Sequence, residues 1–287
     1  MSNRRALCVG VNVYKNLPSA TLHGCVNDVT SMKGLLKDFL GFQDADIVAL
    51  ADAQATKAAI MQNLKDMVAG AKAGKYAYLV FSMSSHGTQV PDVSGDETSD
   101  HADEAFCPTD LAQKGNVWDP DHVIVDDELH DLFVQIPSSV LLEVYLDTCH
   151  SGTGLRDIDL APGRKPRYLP PPSMEAFLKV RGKQSRGVWD RLREKGLPHQ
   201  ILWAACRDNQ TSADAYIGGA YHGAFTYYFE KEMRACQNKL SRNAVLAKVR
   251  ADLMNGHYAQ VPQLECPATD KGAMISERGK KPEVAAV

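Results

Sequence analysis

Two short apolar runs constrain this chain more than anything else in it. Leu141–Leu146 (LLEVYL) carries one charge, Glu143, and is bounded by polar residues. Tyr76–Met83 (YAYLVFSM) is of the same kind. Runs this short, apolar and sharply bounded read as buried strands. Each ends on reactive side chains: the first runs into Asp147-Thr148-Cys149-His150-Ser151-Gly152, the second into Ser84-Ser85-His86-Gly87. Open α/β sheets place their sites at the carboxyl ends of buried strands. If these two are parallel neighbours, a thiol and an imidazole meet at one sheet edge, which is sufficient for acyl transfer: the imidazole takes the thiol proton and the thiolate attacks a carbonyl. A lone strand-end Cys is more often a small buried hydrophobe. Polar flanks, a following glycine and a His-Gly on the other strand favour the functional reading of Cys149.

The chain around these runs alternates. Arg5–Val13 is predicted as a strand, followed by a loop marked by Pro18 and Gly24. Val29, Met32, Leu35, Leu36 and Phe39 follow helical spacing, with Asn27-Asp28 as candidate caps and Gly41 as the stop. Ile47–Leu50 is a short strand, and Thr56–Ala71 is an amphipathic helix that Thr56 can cap. With Tyr76–Met83 this makes β-α-β-α-β, the pattern of a parallel sheet covered by helices on both faces. Further on, Pro91–Asn116 reads as loop and Asp127–Val134 as a short helix. Gln200–Ala205 reads as a buried strand leading into a polar loop through Asp214, and Ala224–Cys236 and Asn243–Leu253 as helices.

One segment breaks the pattern. Residues 153–198 carry five prolines between Pro162 and Pro172, and many basic residues, among them Arg156, Arg164, Lys165, Arg167, Arg186 and Lys195. Long segments of this composition are functional loops or disordered, with Met174–Val180 and Val188–Lys195 as possible helical pieces. No domain-linker composition appears, so residues 1–287 are expected to form one domain, with a frayed polar tail after 277.

Composition excludes several classes. A net charge of −3 argues against a nucleic-acid partner. No apolar run approaches the ~20 residues of a membrane span. The seven cysteines form no CxxC pair, as expected of reduced cytoplasmic thiols, and their spacing does not suit zinc. No leader is apparent before the first strand, and no organic cofactor motif such as GxGxxG follows it.

DTCHSG resembles the catalytic-cysteine motif of the metacaspases, and SSHGTQVPD their catalytic-histidine motif, with Ser85 where the family usually has Gly. The caspase signature Gln-Ala-Cys-x-Gly is absent, and His86 precedes Cys149 by more than the ~50 residues given for caspases. Gly24-Cys25-Val26-Asn27-Asp28, Val123–Leu129, CRDNQTSAD and GAFTYYF resemble further family segments in order, from about Arg5 to Pro267. The resemblance implies a caspase-like three-layer sandwich, an α/β fold with a mostly parallel central sheet and helices on both faces. It implies a monomeric cysteine endopeptidase that acts on exposed Arg or Lys in proteins and peptides.

Roles follow. Cys149 is the expected nucleophile and His86 the base. His150 is the competing imidazole, but its place next to Cys149 turns it to the other face of an extended backbone. The amides of Gly87 and Cys149 are the expected oxyanion donors. By resemblance, Asp28 and Asp147 floor the pocket for the residue before the scissile bond, Ser84 and Cys25 line it, and Asp214 can contribute. A desolvated carboxylate pair favours a guanidinium or ammonium there. Asp28 as a helix cap, Asp147 and Gly87 as plain turn residues and Cys206 as a buried structural thiol are the competing assignments. The Arg156–Lys195 segment offers sites for autocatalytic cleavage.

Asp92–Glu104 holds six acids and no Lys or Arg, Asp126-Asp127 follow, and Asp157 and Asp159 lie after Cys149. Such carboxylates are solvated or bridged, and hard oxygens suit Ca²⁺. The resemblance points to Asp103, Asp126 and Asp127 as ligands of an activating calcium, with Asp157 as fourth. The competing function is a catalytically silent caspase-like binding or scaffold module.

Overall fold

The computed structural model describes residues 3–91, 102–149, 163–180, 200–207 and 210–279. Its elements run β1 (Arg4–Gly10), α1 (Cys25–Phe39), β2 (Ile47–Ala51), α2 (Lys57–Lys72), β3 (Tyr78–Ser84), β4 (Gly87–Pro91) and β5 (Ala102–Phe106). The two-residue strands β6 (Gln113–Lys114) and β7 (Val117–Trp118) pair with each other, and β8 (Ile124–Val125) leads into α3 (Asp126–Phe133). Then come β9 (Leu141–Asp147), β10 (Arg164–Pro166), α4 (Met174–Val180), β11 (Ile201–Ala204), β12 (Ala213–Ile217) and β13 (Ala220–Gly223). The chain closes with α5 (Ala224–Cys236), α6 (Arg242–Asn255), β14 (Gln263–Glu265) and α7 (Ala268–Lys271).

The central sheet has six strands in the order β14-β11-β9-β3-β1-β2. All neighbours pair in parallel except β14, which runs antiparallel to β11. Alternation along the strands divides the core in two. Leu7, Val9, Leu79, Phe81, Leu142 and Val144 pack against α2 and α3 through Ile60, Leu64, Val68, Leu129 and Phe133. Ala6, Cys8, Tyr78, Val80 and Tyr145 face the other way, against α1, α5 and α6 through Met32, Leu36, Phe229 and Val245. Covering both faces is what makes β3 and β9 near-continuous apolar runs.

Local signals hold where they were strong. Thr56 caps α2, accepting from Ala59 N–H at 3.2 Å, and Gly41, at φ +71°, takes the left-handed position after α1. Three readings change. The α1 helix starts at Cys25, so Asp28 is not its cap but a buried residue of the first turn; the Asn12 side chain accepts from Cys25 N–H at 2.8 Å instead. The Pro91–Asn116 loop contains β5, which pairs antiparallel with β4. The basic segment contains β10, antiparallel to β12. The partner of β10 comes from distant chain, which local composition does not report. Met174–Val180 is helical as the sequence suggests, whereas Val188–Lys195 lies outside the described residues. The tail does not fray at once after 277: Gly279 N–H donates to Asp270 at 2.6 Å, and Arg278 donates to the Val140 carbonyl at 2.9 Å. No described helix is long and apolar enough to cross a membrane.

Candidate active site

β3 and β9 are parallel neighbours with Ser84 opposite Asp147. His86 and Cys149 each lie two residues beyond that pair, so the register carries imidazole and thiol to the same level of the sheet edge. Both are fully buried. The His86 backbone is pinned on both sides: its N–H donates to the Tyr14 hydroxyl at 2.8 Å, and its carbonyl accepts from Cys107 N–H at 3.0 Å. Ser85 is not in the left-handed region, and its Oγ donates to the His86 carbonyl at 2.9 Å.

The ring of His86 has a defined tautomer. Nε2 sits 2.7 Å from the Ala20 carbonyl, which can only accept, so Nε2 carries the hydrogen. Nδ1 then holds a lone pair, and it has no hydrogen-bond partner among the described residues. Burial pushes the imidazole down to about 3, so it is neutral at ordinary pH. Cys149 Sγ meets the Ser212 N–H and lies 3.6 Å from the Ser212 carbonyl. Cys206 Sγ is 4.0 Å from Cys149 Sγ; its own thiol is pushed well up, first by the hydrogen bond to Cys149 and then by burial.

Asp28, Asp147 and Asp214 converge below this edge on one guanidinium, Arg167, and all four are buried. Nη2 is 2.8 Å from Asp28 and 3.0 Å from Asp214, and Nη1 is 3.3 Å from Asp147. Each carboxylate is also held by the frame. Asp28 accepts from Gly223 N–H at 3.0 Å, and Asp214 from His23 and Gly24 N–H at 2.8 and 2.9 Å. Asp147 accepts from Ser212 Oγ at 2.6 Å and Thr226 Oγ1 at 2.7 Å. Burial raises Asp28, but the Arg167 charge together with hydrogen bonds from His222, Arg167 and the Gly223 amide leaves the carboxyl below its ordinary value. Burial wins at Asp147, which is raised. Cys25, buried in the first turn of α1 near the same charges, has its thiol raised, first by burial. Ser84 is buried at the end of β3 beside Asp147 in register.

The expected pocket residues Asp28 and Asp147 thus come together, and Asp214 joins them as a full member. Arg167, Ser212 and Thr226 were not singled out in the sequence. Arg167 is one of many basic residues in its segment, and nothing local marks it. His150 lies outside the described residues.

Of the expected metal ligands, Asp103 and Asp126 are buried. The Ala105–Val125 pairing of β5 with β8 carries Asp103 toward Asp126 and Asp127, at the start of α3. Among the described residues no three His, Cys, Asp or Glu side chains come together as a metal site, and Asp157 lies outside them. These carboxylates fit Ca²⁺ in kind but not alone in number, since it takes about six to eight oxygens.

Comparisons with known proteins agree with this architecture. The family described as Metacaspase, peptidase C14 domain, matches residues 4–158. Metacaspase-1 of Pyricularia oryzae is 32% identical over 296 residues, covering 92% of this chain and 71% of the relative. Metacaspase-1 of Eremothecium gossypii is 31% identical over 302 residues, covering 92% and 64%. Among solved structures, protein GSU0716 of Geobacter sulfurreducens aligns with a TM-score of 0.66 at 22% identity, covering 97% of this chain and 100% of that one. Caspase-1 of Spodoptera frugiperda aligns at 0.58 and 12%, covering 92% and 88%. The structural likeness at these identities is one of fold, and the fold is caspase-like. The sequence matches decide the rest: the chain belongs to the metacaspases, a family of cysteine peptidases.

Proposed function

We propose that this chain is a calcium-stimulated endopeptidase that cleaves after Arg or Lys through Cys149 and His86. The observation that carries the reading is the buried ring of Asp28, Asp147 and Asp214 around a guanidinium, at the edge where thiol and imidazole lie. Three desolvated carboxylates repel one another and require a cation, whereas an acidic side chain there would face repulsion of several kcal/mol.

The chemistry follows from the tautomer. His86 Nδ1 takes the Cys149 proton while Nε2–H stays on the Ala20 carbonyl, which orients the ring and supports the imidazolium. The thiolate attacks the carbonyl carbon after the Arg or Lys. Gly87 N–H, with the Cys149 amide, faces the developing oxyanion. Nδ1–H then protonates the departing amine, and water hydrolyses the thioester. Asp103, Asp126 and Asp127, with Asp157, are the proposed calcium ligands. Bound calcium supplies charge neutralisation and order at the cleft rather than bond-making.

The test is turnover of fluorogenic peptides ending in Arg, Lys or Asp, in calcium, magnesium or chelator. Arg and Lys peptides are expected to be cut in calcium, and not by Cys149→Ala. Efficient Asp-ended turnover rules out the acidic-pocket reading, and full activity in chelator removes calcium from it.

A further inference from the structure

Cys206 takes no part in the cleavage chemistry, yet its sulfur lies 4.0 Å from that of Cys149. Both residues are buried. The sheet sets this contact. β9 and β11 are parallel neighbours with Leu146 opposite Ala204, and Ala205 N–H donates to the Leu146 carbonyl at 2.9 Å. Cys149 and Cys206 follow directly on these adjacent strand ends. Cys206 Sγ lies 3.8 Å from the Thr148 carbonyl, so its side chain is turned toward the end of β9.

Cys149 is turned to meet it. Its Sγ takes the Ser212 N–H and lies 3.6 Å from the Ser212 carbonyl, whereas His86 Nδ1 has no hydrogen-bond partner among the described residues. The thiol thus rests against Ser212 and Cys206 rather than on the imidazole. Two glutamines hold the backbone around both sulfurs. Gln260 Nε2 donates to the Ala205 carbonyl at 3.0 Å, and its Oε1 accepts from Ala213 N–H at 3.0 Å. Gln210 Nε2 donates to the Ala259 carbonyl at 2.7 Å, and its Oε1 accepts from Val261 N–H at 2.9 Å. A disulfide places its sulfurs about 2.05 Å apart. Closing the remaining ~2 Å is within what rotation about the two Cα–Cβ bonds supplies while the strands stay paired.

We propose that Cys149 and Cys206 form a reversible disulfide, a modification site that takes hydrogen peroxide as oxidant and switches the peptidase off. Cys149 Sγ attacks one peroxide oxygen, the O–O bond breaks, and the thiol proton leaves with the departing hydroxide as water. Cys149 is then a sulfenic acid. Cys206 Sγ attacks the Cys149 sulfur, the S–OH bond breaks, and the Cys206 proton joins the hydroxyl to leave as a second water. Each sulfur has given up one electron, and the peroxide has taken two. Any path that brings a peptide carbonyl to Cys149 admits a molecule as small as peroxide. The disulfide keeps the Cys149 sulfur off His86 and spares it the sulfinic and sulfonic states, which thiols do not reverse. An added dithiol regenerates both thiols by exchange and is itself oxidised. The loss of activity rests on the peptidase reading above; the disulfide itself does not.

The experiment treats the reduced full-length chain, freed of small thiols, with hydrogen peroxide in slight excess. Intact mass, non-reducing peptide mapping and turnover of an Arg peptide are followed over a dilution series. The expected product has lost two hydrogens and carries one cross-link, Cys149 to Cys206, formed at a rate independent of protein concentration. Turnover is expected to be lost with the cross-link and to return with dithiothreitol. Cys206→Ala is expected to gain two oxygens on Cys149 instead, and to recover about tenfold less activity than the wild type, because sulfinic acid persists in dithiothreitol. Cys206→Ser is made beside it to preserve the side-chain volume, with the same outcome expected. Recovery of either variant to the wild-type level overturns the proposal. So does a wild-type chain that passes to sulfinic acid with no cross-link, or whose Cys149 pairs with a different cysteine or with a second chain. A cross-link formed with turnover unchanged overturns the switch. A chain that cuts no Arg or Lys peptide counts against the peptidase reading alone, and the mass readout still decides the disulfide.

Discussion

Two buried arginines in this molecule have the same chemistry and opposite placement. Arg242, in the first turn of α6, donates through Nε to Glu143 at 2.9 Å and also through Nη2, and the carboxylate accepts further from the Tyr78 and Tyr145 hydroxyls at 2.9 and 2.8 Å. Glu143 sits in the middle of β9, beneath packed helices. Arg167 meets three carboxylates instead of one, from the end of β9, the first turn of α1 and the start of β12, and belongs to a short segment at the sheet edge. The first pair is enclosed by elements that cannot leave without unfolding. The second is held by a three-residue strand and two flanking backbone hydrogen bonds rather than by packed helices. The comparison teaches that burial and charge alone do not distinguish a brace from a binding site; position along the strand does.

The sharpest test of that contrast removes one partner from each. Asp147→Asn is expected to lower kcat/KM for Arg peptides by about a thousandfold, of the order measured for breaking a buried charge pair at an interface, with little loss of stability. Arg242→Leu is expected to do the reverse, because it strands Glu143 in the core at a cost of about 3–5 kcal/mol. Its melting temperature should fall by roughly 6–20 °C while the folded fraction keeps its kcat/KM. Equal loss of stability in the two variants, with specificity unchanged in both, would make the acidic ring a second brace.

A smaller effect is expected at the pocket wall. A Cβ on Gly223 would meet the Asp147 carboxylate and Arg167 Nη1. Gly223→Ala therefore shrinks the space for a guanidinium, and overpacking of about 1–3 kcal/mol corresponds to a loss of about 5–150-fold for Arg peptides. Lys peptides, with a slimmer head group, should lose less. Equal loss for both would place the wall elsewhere.

The gentlest test is pH. The folded-state value of His86, about 3, lies below its ordinary 6.5. The unfolded chain thus binds one more proton than the folded chain between these values, and stability falls as pH drops through that window. The slope contributed is about 1.4 kcal/mol per pH unit at most, levelling off below about 3. His86→Gln should remove this slope, and Arg242→Leu should retain it, as followed by urea denaturation at stepped pH. A slope unchanged in His86→Gln would mean that the imidazole is not held neutral in the cleft.

Strongly periodic stretches were legible without a structure. The β3 and β9 strands, the helices α1, α2, α5 and α6 and the strand ends bearing His86 and Cys149 follow from apolar spacing and flanking polar residues, which act over a few positions. The resemblance carried over Asp28 and Asp147, which the fold brings together on Arg167 from α1 and the end of β9. Asp28 shows the limit of local reading: by sequence it is a candidate helix cap, but α1 begins three residues earlier and turns it inward.

What the sequence by itself determined is the alternating α/β scheme and the delivery of a thiol and an imidazole to strand ends, because both depend on local pattern. Only the tertiary structure brought Arg167 into the acidic ring. Gly87, Arg167 and the Ser212–Asp214 stretch lie far apart in the chain, and β10 exists as a strand only because β12 offers it an edge. Nothing within the Pro-rich segment distinguishes Arg167 from its basic neighbours. It is the convergence of three distant carboxylates and two backbone clamps that selects it, and convergence of that kind is a property of the fold.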